Sequence, residues 1–122
     1  MTFIAPETVA PITLAIEMLI EPGAERLIEK MGKRLGTKAR SKVIDRTLDL
    51  IRQDFHPSDV TAWFSEARFA PTRRTTVRVS KDNAQYAGAI AASVDMGRPI
   101  VLMELVYFAA VNLSRDDLES AA

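Results

Sequence analysis

The 122-residue sequence has no cysteine, which excludes a disulfide framework and a thiolate metal site and suits a reducing cytoplasm. Its single histidine, His56, cannot assemble a multi-histidine metal centre or a His-based catalytic triad, and is expected to be structural. Long apolar runs are missing too. The longest, 100–111, is broken by Glu104 and falls well short of the roughly 20 residues that cross a bilayer. The opening MTFIAPETVA lacks the pattern of an export signal. No phosphate-cradling glycine motif is present, since the five glycines fall mostly in turns. The expectation is one cytoplasmic domain, residues 1–122, with no cofactor, no metal, no membrane contact and no catalytic constellation that would make it an enzyme.

Net charge is also lacking: 16 Lys and Arg balance 16 Asp and Glu. Taken alone this argues against a nucleic-acid partner. The distribution argues otherwise. Lys30, Lys33, Arg34, Lys38, Arg40 and Lys42 form one basic stretch without an acid, and Arg68, Arg73, Arg74, Arg78 and Lys81 form a second.

What is present is a repeated pattern. Ile12, Leu14 and Ile16 alternate with Thr13, Ala15 and Glu17, the period-2 signature of a half-buried strand. TTVRVS, residues 75–80, does the same, with Val77 and Val79 on one face and Thr76, Arg78 and Ser80 on the other. A helical stripe, Ala24, Leu27, Ile28, Met31 and Leu35, follows the first strand and ends at Gly36. Thr37 can cap a second helix with the stripe Val43, Ile44, Leu48 and Ile51, ending near Asp54. After the second strand, Ser80 can cap a helix carrying Ala87, Ile90, Ala91 and Val94, which Gly97 is expected to stop. Pro99 suits the first turn of the next helix, 100–113, whose apolar character all round places it at the centre of the core.

Both halves therefore read strand, helix, turn, helix: residues 12–54 and 75–113, joined by a connector, 55–74. The connector is expected to hold a short helix, 58–68, and a turn at Ala70-Pro71, with Trp63 and Phe64 covering the core. A last turn of helix is expected from Ser114, with Asp116 and Asp117 near its start. A lone six-residue strand is unstable, so the two strands are expected to pair antiparallel over the helices. The fold class is thus mainly α with a two-stranded antiparallel β-ribbon.

The segment GTKARSKVIDRTLDLI, residues 36–51, resembles the glycine turn and second helix of the ribbon-helix-helix DNA-binding family, and TTVRVS with MGRPIVLMELVYFAA resembles that family's strand and second helix. The resemblance covers about residues 12–113 and implies a single-chain pseudo-dimeric ribbon-helix-helix fold, a monomer with internal pseudo-twofold symmetry that binds double-stranded DNA. The tandem form further resembles DNA-processing proteins of conjugation-like transfer. That implies a role in plasmid or T-DNA processing and transfer, alongside other proteins of a transfer complex.

In that family outward strand side chains read base edges and the start of the second helix holds phosphate. The resemblance nominates Thr76, Arg78 and Ser80 as groove-facing residues, with Arg73 and Arg74 beside them and Thr13 on the first strand. Arg78 is the leading candidate because a guanidinium can grip a guanine edge in bidentate fashion. Glu17 is the misfit: phosphate repels it, and it can help only by accepting from a cytosine amino group. Thr37, Lys38 and Arg40 offer a helix start and two cations for phosphate. Their counterpart, Arg98-Pro99, lacks one backbone donor. Two other expectations stand beside this one: a regulator or antitoxin-like repressor of the same fold, and a protein-interaction scaffold that has lost DNA binding.

Overall fold

A computed structural model describes residues 12–64 and 73–122. Among these residues the chain is mainly helical with one two-stranded antiparallel sheet. Strand β1, Thr13–Ile20, leads into helices α1, Pro22–Leu35, and α2, Arg40–Asp54. A short α3, Pro57–Val60, and a 3-10 turn, Thr61–Phe64, follow. Then come β2, Arg73–Ser80, α4, Lys81–Val94, α5, Arg98–Asn112, and α6, Arg115–Ser120. The two strands span eight residues each, α1 and α4 fourteen each, and α2 and α5 fifteen each.

The strands pair from Thr13 opposite Ser80 to Ile20 opposite Arg73. In a pleated strand alternate side chains share a face. Ile16, Met18 and Ile20 of β1 join Val77 and Val79 of β2 in turning onto the helices, and all five are buried. Both strands extend beyond the alternation seen in sequence, β1 at its end to Ile20 and β2 at its start to Arg73. Ile12 and Leu14, expected in the inward row, stay 77% and 41% exposed. Alternation fixes which face a residue shares; it carries no information on how far the helical layer reaches beneath the ribbon.

Helix α2 packs on β2, and α5 packs on β1. Helix α5 is the centre of the core: Val101, Leu102, Met103, Leu105, Val106, Phe108 and Ala109 are all buried. Phe55 and Trp63 meet Phe108 edge-on, at centroid separations of 5.1 and 5.6 Å. Trp63 packs against the core and Phe64 is buried in it, as expected, and Phe55 joins them. The connector helix is shorter than expected, because the chain tightens to a 3-10 turn after Val60. The remainder of the expected helix, Arg68 and the Ala70-Pro71 turn lie outside the described residues.

Helix boundaries follow capping chemistry, with two departures from expectation. Gly36 ends α1 in the left-handed region, φ 75°, as expected. Helix α4 ends two residues earlier than expected, on Asp95, also left-handed at φ 53°, while Gly97 instead precedes α5 at φ −66°. Asp is one of the few side chains that tolerates the left-handed region, so the turn closes without glycine. Thr37 is not the cap of α2: that position falls to Ala39, whose N–H donates to the Thr37 hydroxyl at 3.1 Å. Ser80 caps α4 by accepting from Asn83 N at 3.2 Å. Ser114 and Asp117 cap α6 reciprocally, and the Ser114 hydrogen bonds hold the Asp117 carboxyl below its usual range. His56 caps α3 and accepts from Ser58 N at 3.2 Å, a structural role.

Among the described residues no helix is long and apolar enough to cross a membrane.

Candidate nucleic-acid interface

The register assigns the outward face of the ribbon. Thr13, Ala15, Glu17 and Leu19 of β1 stand opposite Ser80, Arg78, Thr76 and Arg74 of β2. Leu19 was missing from the sequence-derived face, although extending the Thr13, Ala15, Glu17 alternation by one step reaches it. Arg74, Thr76 and Arg78 are exposed, and Thr13 and Ser80 half-buried.

Arg78 does not stand free. Its Nε donates to Thr13 Oγ1 at 3.0 Å and one of its terminal nitrogens to Thr13 O at 3.2 Å, so the side chain runs diagonally across the ribbon from its register partner Ala15 to Thr13. Arg74 donates to Glu17 Oε2 at 2.8 Å, an ion pair running diagonally across the ribbon. Ser80 serves as a helix cap, and its N–H donates to Asp45 Oδ1 at 2.8 Å.

Arg73 departs from expectation. It shares the parity of Val77 and Val79, so it belongs to the inward row, and at the strand's end its guanidinium reaches the Glu25 carboxylate of α1. The same carboxylate oxygen accepts from Arg40 at 3.2 Å, and Arg40 also donates to Thr75 Oγ1 at 3.0 Å. Arg40 is therefore a brace between α2, α1 and β2. No sequence signal singled out Glu25 for this double role, because the partners lie 15 and 48 positions away.

The outer edge of β2 is sealed by α2. Arg78 N donates to Ser41 Oγ at 2.9 Å and Ser80 N to Asp45 Oδ1, which satisfies edge donors that would otherwise face solvent. Sequence reasoning overlooked Ser41 and Asp45. The start of α2 thus sits beside the ribbon, with Lys38 exposed and Thr37 half-buried at its approach. On the other edge Arg98, exposed at the start of α5, borders a shallow groove with Ala15, Glu17, Gly88 and Pro99. Among the described residues no cluster of His, Asp or Glu side chains is placed to hold a metal ion.

The predicted residues accordingly divide. Thr13, Arg74, Thr76, Arg78 and Ser80 share the outward ribbon face; Thr37, Lys38 and Arg98 flank it at the helix starts; Arg40 and Arg73 are tied to Glu25. No protein-family model matches the chain, and no curated protein or solved structure matches it either.

Proposed function

We propose that the chain is a single-chain ribbon-helix-helix pseudo-dimer that binds double-stranded DNA by laying its β-ribbon in the major groove. A two-stranded ribbon is one of the few elements that fits that groove, about 12 Å wide. Support for the pseudo-dimer comes from the matched lengths of the paired elements, the left-handed ends of α1 and α4, and the reciprocal packing of α2 on β2 and α5 on β1.

The observation that carries the DNA reading is the outward face itself. Arg74, Thr76 and Arg78 line one strand, and the starts of two fifteen-residue helices flank the ribbon's opposite edges. Helix starts present backbone N–H groups and the positive end of the dipole to phosphate. Strand side chains read, and helix starts position. Within this reading we place the protein in plasmid or T-DNA processing and transfer.

The test is binding of labelled duplex by wild type and Arg78→Ala across a salt series. Binding that weakens steeply with salt, and a loss of about 1–3 kcal/mol in the variant on its preferred sequence, is the expected result. The absence of duplex binding at low salt overturns it. In that case the protein-scaffold reading, favoured by the Glu17–Arg74 pairing on the ribbon and the zero net charge, takes its place.

A further inference from the structure

The ribbon carries one acid among its outward residues: Glu17 stands with Thr13, Ala15, Leu19, Arg74, Thr76, Arg78 and Ser80. It occupies one of the two middle pairs of an eight-pair ribbon, opposite Thr76. The carboxylate holds Arg74 at 2.8 Å, with both side chains more than half exposed, 57% and 68%. Exposed pairs of this kind contribute about 0–1 kcal/mol to stability, so folding gives little reason for an acid in this place. Its consequence for a polyanion is larger. The pair compensates one of the two guanidinium charges on the face and ties that group to the neighbouring strand.

We propose that Glu17 is the specificity-setting residue of the ribbon. It restrains Arg74 from phosphate, which weakens attachment to arbitrary duplex, and it presents an acceptor suited to a cytosine amino group at the middle of the site. This rests on the duplex-binding reading above. The geometry gives the two effects one cause, since a carboxylate that approaches a base edge still carries the repulsion that disfavours every site lacking the matching donor.

The experiment compares wild type, Glu17→Gln, Arg74→Ala and the double variant by fluorescence anisotropy, on duplexes that differ only in the central base pair, over a range of salt. Glu17→Gln is expected to bind arbitrary duplex at least about threefold more tightly at low salt, with a salt slope steeper by about one phosphate contact. Its preference is expected to move from cytosine towards adenine, whose edge an amide matches. The gain is expected to be largely lost when Arg74 is also removed. Equal thermal midpoints for wild type and Glu17→Gln exclude a folding effect.

Binding by wild type with no gain in Glu17→Gln, or a gain of the same size in the Arg74→Ala background, overturns the role of Glu17 and leaves the DNA reading standing. If neither wild type nor Glu17→Gln binds any duplex, both fall together. Binding by Glu17→Gln alone supports the role directly, because the acid is then what masks the ribbon.

Discussion

Asn83, fully buried at the start of α4, donates from its side-chain amide to Asp45 Oδ1 at 2.8 Å, Asp45 O at 3.0 Å and Asp49 Oδ1 at 2.7 Å in α2. Its own oxygen accepts from Arg52 Nε at 3.0 Å. This knot joins the helix after β2 to the second helix after β1. Asn83→Ala leaves two carboxylates and a guanidinium without their shared partner, so a loss of about 2–3 kcal/mol is expected. Urea denaturation checks it, and a change below about 0.5 kcal/mol would show that the knot contributes no net stability.

Under the proposed duplex binding, two cations at the α2 start are predicted to behave differently. Lys38 is exposed, so Lys38→Ala should weaken binding across all sequences and reduce the salt slope by about one contact. Arg40 is already engaged by Glu25 and Thr75, so Arg40→Ala should leave the slope nearly unchanged. It should cost at most about 1 kcal/mol of stability, since the pair is more than a third exposed on the arginine side. A salt titration of the two variants, side by side, separates the roles.

The two helix ends give opposite signs. At Gly36, φ 75°, a Cβ meets nothing within 4 Å but is strained by the backbone, so Gly36→Ala should cost about 1 kcal/mol. At Asp95, φ 53°, Asp95→Gly relieves that strain and should be neutral or stabilising by up to about 1 kcal/mol. Thermal midpoints measured in parallel should fall for Gly36→Ala and hold or rise for Asp95→Gly.

Tyr86 supplies an alkaline signature. Burial, and then the nearby Asp59 charge, push its phenol from the ordinary 10.0 to about 12, and its hydroxyl donates to Phe55 O at 2.7 Å. A raised folded-state value favours the protonated group. Its contribution is therefore fully present below pH 10.0 and is lost as pH rises through about 12. Tyr86→Phe should lose about 1 kcal/mol at neutral pH and show a shallower alkaline decline than wild type. Chemical denaturation at several alkaline pH values reads the difference.

Much of the architecture was legible locally. The alternation at residues 75–80 assigned Val77 and Val79 inward and Arg78 outward because a strand's pleat has a period of two. The nearly uniform apolarity of α5 marked the core because only a helix covered on several sides tolerates it. Ser80, Ser114 and Gly36 announced helix ends through capping chemistry. The turn after α4 was misread, because the left-handed position is held by Asp95, and composition favours the nearby glycine.

The candidate site was legible in its residue types and less so in their partners. Thr76, Arg78 and Ser80 could be assigned to one face, whereas the separation of Arg74 from Arg73, the restraint of Arg78 by Thr13, of Arg74 by Glu17, and of Arg40 and Arg73 by Glu25 could not. These partners are 65, 57, 15 and 48 residues apart.

The sequence by itself determined the order of the strands and long helices, the facing of the strand residues within each alternating stretch, and the helix that fills the core, since each follows from periodicity or capping within a few residues. Tertiary structure alone decided which cations remain free. Pairing β1 with β2, packing α2 on β2 and packing α1 on α2 brings distant carboxylates and hydroxyls within hydrogen-bonding distance of the arginines, and charge compensation depends on that distance in space, not on separation along the chain.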